Sequence, residues 1–365
     1  MIYLDHGATS FVKPASVSRA MLRAMETCAN PGRGGYPAAM AAAEQVYLCR
    51  ELAGKLFFCQ PEQVVFTANC THGLNVAIAT LVHAGDEVLI SGFEHNAVVR
   101  PLHALGARIT VAGRRLFSWE DTLTSWEAAL KRRPKAAVFT HVSNVFGYIL
   151  PVEEMANLCK QYGVPFIIDA AQSAGIVPID FTKLGADFLA APGHKGLLGP
   201  QGTGLLLCGR LPKPLLSGGT GSNSRDREMP DFLPDRGEAG TLNVPGIAGL
   251  RAGMAYVAGK GVANILAREQ KEAARCAGAL ETMGLRVFAG VHQSGTLSFI
   301  GRTDCQQMAE LLQKRGICVR AGLHCAPLAH ESAGTLESGT VRISFGHDAS
   351  AVQSQRFLQA VKDLK

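Results

Sequence analysis

Short apolar runs recur along the first half of the chain, separated by segments long enough to be helices. Val64-Val65-Phe66-Thr67, Glu87-Val88-Leu89-Ile90, Arg108-Ile109-Thr110-Val111, Ala136-Ala137-Val138-Phe139 and Phe166-Ile167-Ile168 are continuous rather than alternating. That pattern suits strands buried on both faces, as in a parallel sheet covered by helices. Between them, helices are predicted over Gly73–Val82, Thr122–Lys131 and Pro151–Tyr162. The last opens on a proline followed by Glu153 and Glu154, residues favoured in a first helical turn. The alternation predicts an α/β fold with a doubly wound large domain. From Pro212 to Pro245 it gives way to a Gly/Pro/Asp-rich stretch, too long for an ordinary connector and therefore expected to be functional. Beyond Pro245 come Ala-rich helix and then expected strands in Leu285–Phe299 and Cys318–Arg342. The division expected is a large domain over 15–245, and a smaller α+β domain made of 1–14 and 246–365. No internal repeat is present.

Composition narrows the class. With 365 residues, 47% hydrophobic and 18% charged, the chain can bury a large core and is not disordered. The net charge of +6 is spread out, with no basic block of the kind that binds nucleic acid. No apolar run reaches membrane-spanning length, and no N-terminal apolar segment preceded by positive charge is present. The 10 cysteines show no paired C-x-x-C spacing, so neither a zinc site nor a disulfide framework is expected. A reducing cytoplasm suits such a chain.

Lys195 is the most informative residue. It lies in Ala191-Pro192-Gly193-His194-Lys195-Gly196, a glycine-bounded turn after the run Asp187-Phe188-Leu189-Ala190. Upstream, the apolar run ending at Ile168 leads into Asp169, with Gln172 just beyond. A lysine and an aspartate at the ends of neighbouring buried strands are what pyridoxal 5'-phosphate (PLP) needs: an amine for a Schiff base and a carboxylate for the pyridine nitrogen. Either residue alone is better explained as a surface lysine or a helix cap; the pair reverses that. Around them, Ala68-Asn69-Cys70-Thr71-His72-Gly73 joins a strand to a helix, whose free N–H groups favour a phosphate. Thr71 can add a hydroxyl, and an N-cap without a ligand is the alternative. His95 can stack on a cofactor and move a proton, or be a buried structural histidine. Asn144 and Gln172 can each reach a phenolic oxygen, and Asn144 can also contact substrate.

Near the C-terminus, Cys325 stands in Arg320-Ala321-Gly322-Leu323-His324-Cys325. A loop cysteine beside a histidine can gain thiolate character and act as a nucleophile, with Gly322 lending the loop freedom to approach. Arg342, flanked by alternating apolar positions, needs an anionic partner. An amino acid's α-carboxylate fits that need, and so does a structural salt bridge.

These blocks, from Tyr3-Leu4-Asp5 through Glu94-His95-Asn96-Ala97, His141-Val142-Ser143-Asn144, Asp169-Ala170-Ala171-Gln172 and Gly193-His194-Lys195 to the cysteine loop, follow one family order. The chain resembles the class V PLP-dependent aminotransferase-fold enzymes, specifically the cysteine desulfurase/selenocysteine lyase family. Its R-x-G-x-H-C loop is similar to the group II, Suf-type branch, and its lysine loop to a bacterial desulfurase-like subfamily. The resemblance implies the aspartate aminotransferase-like fold (fold type I) and a homodimer that takes sulfur from L-cysteine and leaves L-alanine. It makes Lys195 the Schiff-base lysine, Asp169 the pyridinium partner, His95 the stacking residue, Cys325 the sulfur acceptor and Arg342 the carboxylate clamp. Cys70, Thr71 and His194 fall at phosphate-binding positions. Thr220, in Gly218-Gly219-Thr220-Gly221, falls where a partner's phosphate is reached, and Arg33 where substrate enters. A protein sulfur acceptor is implied. Selenocysteine cleavage, transamination or β-elimination remain alternatives. Pro192 stands where Suf-type enzymes have a serine, His6 where Asn or Ser is usual, and Gly346-His347-Asp348 where Asn-Thr would follow a tyrosine.

Overall fold

The computed structural model describes residues 1–32 and 34–364. Its strands are β1 (Ile2–Tyr3), β2 (Val64–Thr67), β3 (Glu87–Ser91), β4 (Arg108–Ala112), β5 (Ala136–Thr140), β6 (Phe166–Asp169), β7 (Phe188–Pro192), β8 (Gly204–Cys208), β9 (Arg286–Phe288), β10 (Thr296–Ile300), β11 (Ile317–Cys318), β12 (Arg320–Gly322) and β13 (Thr340–Ser344). Seven of them form one sheet in the order β2-β8-β7-β6-β5-β3-β4. The sheet is mixed rather than wholly parallel, because β8 runs antiparallel to both β2 and β7. The sequence reading missed β8. Its Leu205-Leu206-Leu207 core is entered by a reversal at Gly202, whose φ of 75° favours glycine.

The helices are α1 (Ala15–Thr27), α2 (Pro37–Phe57), α3 (Cys70–Leu81), α4 (Asn96–Ala104), α5 (Trp119–Leu130), α6 (Val152–Tyr162), α7 (Phe181–Leu184), α8 (Val244–Lys260), α9 (Val262–Thr282), α10 (Cys305–Lys314), α11 (Pro327–Ala333) and α12 (Ala351–Lys362). The continuous apolar runs now have their reason. Ile168, Leu189, Leu205 and Leu207 point to one face, against Trp126, Met155, Leu250 and Met254 of α5, α6 and α8. Ile167, Phe188 and Leu206 point to the other, against Leu74 and Ile78 of α3 and Val98 and Leu102 of α4. Strand side chains alternate, so both faces can be apolar only if both are covered.

The stretch before α8 contains one short 3-10 turn, Asp235–Gly237, and is pinned to the sheet edge by a buried ion pair. Glu238 holds Arg50 of α2 at 2.5 Å and accepts the Phe66 N–H at 2.6 Å. Beyond α9, β12-β13-β10-β9 form an antiparallel sheet, and β1 pairs in parallel with β11. Leu4, Leu297, Phe299, Ile343 and Phe357 share one core there. The expected strand over Cys318–Arg342 is corrected. It contains β12 and most of β13, separated by α11, where Pro327 takes the first helical turn and Gly334 ends the helix.

Candidate active site

The candidate residues of the large sheet sit beyond the C-terminal ends of four strands: His95 after β3, Asn144 after β5, Asp169 at the end of β6 and Lys195 after β7. Open α/β sheets gather ligand groups there, because each crossover leaves the strand ends facing one crevice. Asp169 lies level with Ala190 across the β6/β7 pair, which brings its carboxylate to the lysine turn. Gly193 lets that turn lie flat on β8, since a Cβ would stand 2.1 Å from Thr203 Oγ1.

Asp169 is 2% exposed. Its Oδ1 accepts the Ala171 N–H at 2.8 Å and the Cys70 thiol at 3.5 Å, while Oδ2 takes no donor among the described residues. Lys195 is partly buried, and that burial pushes its amine's pKa down, with Arg342 and Arg320 pushing the same way and Asp169 opposing. His95 caps α4, and its Nδ1 accepts the Ala97 N–H at 3.0 Å. That bond leaves the neutral ring its proton on Nε2. Burial lowers the His95 pKa, against an upward pull from Asp169.

The phosphate candidates divide. Asn69, not Thr71, caps α3, accepting the His72 N–H at 2.8 Å. The first-turn N–H groups of Cys70 and Thr71 have no partner among the described residues, and an anion would take them. His194 is tied by its Nδ1 to Thr9 at 3.0 Å, and burial holds its pKa down to about 4. It is therefore neutral rather than a cation. Thr220 lies in the irregular stretch, its Oγ1 accepting the Ser222 N–H at 3.3 Å. Gln172 spends one amide hydrogen on the Gly7 carbonyl at 2.9 Å. Arg33 lies outside the described residues.

Cys325 is exposed, and two expectations about its loop, the role of His324 and the freedom to approach, need correction. His324 does not face the thiol as a base: its Nε2 turns to Thr340 at 3.2 Å, and burial drives its pKa down to about 2. The loop is also held rather than free. Asn144 Nδ2 donates to the His324 carbonyl at 2.8 Å and Asn96 N–H to the Cys325 carbonyl at 2.8 Å. These ties keep His324 and Cys325 at φ of 49° and 57°, a left-handed conformation that costs a non-glycine residue about 1–2 kcal/mol.

Arg342 is not a free fork. It is 2% exposed; Nη2 meets Asp5 Oδ1 at 2.6 Å and Nη1 donates to the Asn144 carbonyl at 2.9 Å, leaving only Nε without a partner. Asp5 was not foreseen as its partner, although a buried arginine asks for a carboxylate and Tyr3-Leu4-Asp5 supplies one. Two departures from the family pattern also meet here. A Cβ on Gly346 would stand 2.3 Å from His6 Nδ1, and His6 Nε2 lies 3.5 Å from Asp348.

Residues 2–357 match the model of the aminotransferase class-V family. The chain belongs to that family. A probable cysteine desulfurase of Methanothermobacter thermautotrophicus is 32% identical over all of this chain and 94% of its own length. One from Pyrococcus abyssi is 31% identical with the same coverage. The apo structure of a cysteine desulfurase from Thermococcus onnurineus superposes with a TM-score of 0.91 at 30% identity, covering 100% of this chain and 94% of that one. An Escherichia coli cysteine desulfurase gives 0.85 at 25% identity, covering 99% and 94%. The fold is therefore that of the PLP-dependent transferases, and the family works with PLP. The residues present fit that cofactor: an amine with lowered pKa, an open carboxylate oxygen beside it and two unpartnered helix N–H groups.

Proposed function

We propose that this protein is a PLP-dependent cysteine desulfurase, which converts L-cysteine to L-alanine and receives the sulfur on Cys325 as a persulfide. One observation carries the reading: Cys325, the one cysteine exposed among the ten, accepts the N–H of Asn96, next to His95, and the adjoining His324 carbonyl accepts from Asn144, which holds Arg342 in turn. The relatives' names support it.

Lys195 would carry PLP and Asp169 Oδ2 would pair with its ring nitrogen. When bound, PLP withdraws electrons from the substrate Cα. The buried setting favours a neutral Lys195 amine, which can take the Cα proton. His95 Nε2–H would give a proton back. The Cys325 thiolate attacks the substrate Sγ; a sulfur–sulfur bond forms, the Cβ–Sγ bond breaks, and its electron pair stays with carbon, which is protonated to alanine. No outside oxidant enters. The cysteine loop's fixed backbone reduces the entropy lost in reaching that geometry. Arg342 and Asn144 would hold the α-carboxylate, with Arg33 at the entrance. Cys70, Thr71 and His194 would hold the phosphate, with Thr220 reaching across from a second copy. A protein thiol would collect the persulfide, in a reducing cytoplasm.

After incubation with L-cysteine, mass spectrometry should place one extra sulfur on the peptide containing Cys325. Cys325→Ser should keep the cofactor yet neither gain sulfur nor release alanine at a useful rate. Sulfur found on Cys70, or full turnover by Cys325→Ser, would overturn the role. Turnover of selenocysteine alone would move the assignment to selenocysteine lyase.

A further inference from the structure

Arg320 and Arg342 stand directly opposite each other on the antiparallel pair β12 and β13. Opposed residues of such a pair leave the same face of the sheet with their Cβ atoms about 5 Å apart, and two like charges there repel unless an anion lies between them. Arg342 has its anion in Asp5. Arg320 is exposed, and its guanidinium has no hydrogen bond or ion pair among the described residues. Its charge nonetheless reaches the site, since it adds to the lowering of the pKa of Lys195, Arg342 and His324.

The charge balance makes this matter. An amino acid's carboxylate approaching Arg342 meets a guanidinium whose charge Asp5 already matches. It would add a second negative charge close to Asp5 in a poorly solvated place, an arrangement that needs another cation. Backbone also covers one side of the guanidinium: a Cβ on Gly7 would stand 3.2 Å from Arg342 Cζ. We propose that Arg320 is a second carboxylate-binding residue, supplying the charge for the substrate's α-carboxylate while the Asp5-paired Arg342 orients it. The inference rests on the amino-acid substrate proposed above. It also gives the first residue of the cysteine loop a task distinct from sulfur transfer.

The test is binding of L-alanine and of L-alaninamide, which lacks the carboxylate, to the holoprotein, with Kd read by NMR saturation transfer and without turnover. Losing one charge-assisted contact, Arg320→Gln should weaken alanine binding about tenfold and leave alaninamide unchanged. Arg320→Lys keeps the charge and should lose less. Asp5→Asn frees the charge of Arg342, so D5N/R320Q should regain much of the alanine affinity that R320Q loses. Equal losses for alanine and alaninamide, or equal losses in R320Q and R320K, would overturn the proposal. So would a folded D5N/R320Q protein no better than R320Q; if D5N does not fold, the first two comparisons decide. Absence of alanine binding in the wild type would overturn this proposal and the amino-acid reading together. Carboxylate-dependent alanine binding without a persulfide would overturn only the desulfurase reading.

Discussion

One backbone hydrogen bond decides what His95 can do: with Nδ1 accepting the Ala97 N–H, the neutral ring can donate only from Nε2. Asp169 is fixed in the same way, its Oδ1 engaged by Ala171 and Cys70 and its Oδ2 left open. Asp169→Asn keeps the shape and removes the charge proposed to hold the cofactor's ring nitrogen protonated. Because that charge matters most as electrons arrive from Cα, kcat should fall by about a hundredfold or more while the Kd for alanine changes little. Steady-state kinetics beside a binding titration check it. Lys195→Ala removes a side chain that serves a cleft, so the melting temperature should hold. The variant should bind PLP without the covalent adduct that borohydride traps, and an adduct on another lysine would refute the assignment.

At the scale of elements, the junction of β3 with α4 carries its own pH dependence. Glu94 is fully buried there, its Oε1 accepting from Ser91 and from the Thr140 N–H, and its Oε2 without a partner. Burial lifts its pKa from the usual 4.5 to about 8. The folded protein therefore keeps a proton that the unfolded chain releases above about 4.3. Stability from this group is full below that value, and falls as pH rises toward about 8. Glu94→Gln keeps the accepting oxygen and abolishes the titration. Its melting temperature should vary less than the wild type's between pH 5 and 8 (a window set by these two pKa values). Parallel melting curves for the two proteins across that window would remove Glu94 as the cause.

For the whole molecule, several exposed apolar residues fall in two groups. Leu22 and Met25 on α1, and Met40 and Tyr47 on α2, lie on helices that pack together, and Leu215, Leu216 and Phe232 flank the Gly218–Gly221 loop. Solvent disfavours such a surface and a second copy of the chain would cover it. The double variant Met25→Glu, Met40→Glu should shift the protein toward monomer in light scattering. It should also retain PLP more weakly, because Thr220 would no longer reach the other copy's phosphate. A monomeric variant with unchanged PLP affinity would separate the two effects and remove Thr220 from the site.

Continuous apolar runs could become only strands covered on both faces, and their spacing with helical segments left the α/β architecture little freedom. Lysine and aspartate at the ends of two such runs pointed to the cofactor chemistry for the same reason: strand ends of an open sheet face one crevice. The sequence could not say which way β8 runs, because an apolar triplet after a glycine turn reads the same in either direction. Nor could it turn the His324 ring away from Cys325, since neighbours in sequence need not face each other and Thr340 supplied the better partner. Asp5 reaches Arg342 only because β1 pairs with β11 and carries the chain's start to the arginine strand. Residue types and strand ends are local properties, legible in order along the chain. Which charges meet is set by strand pairing across hundreds of residues, and that the tertiary structure alone decided.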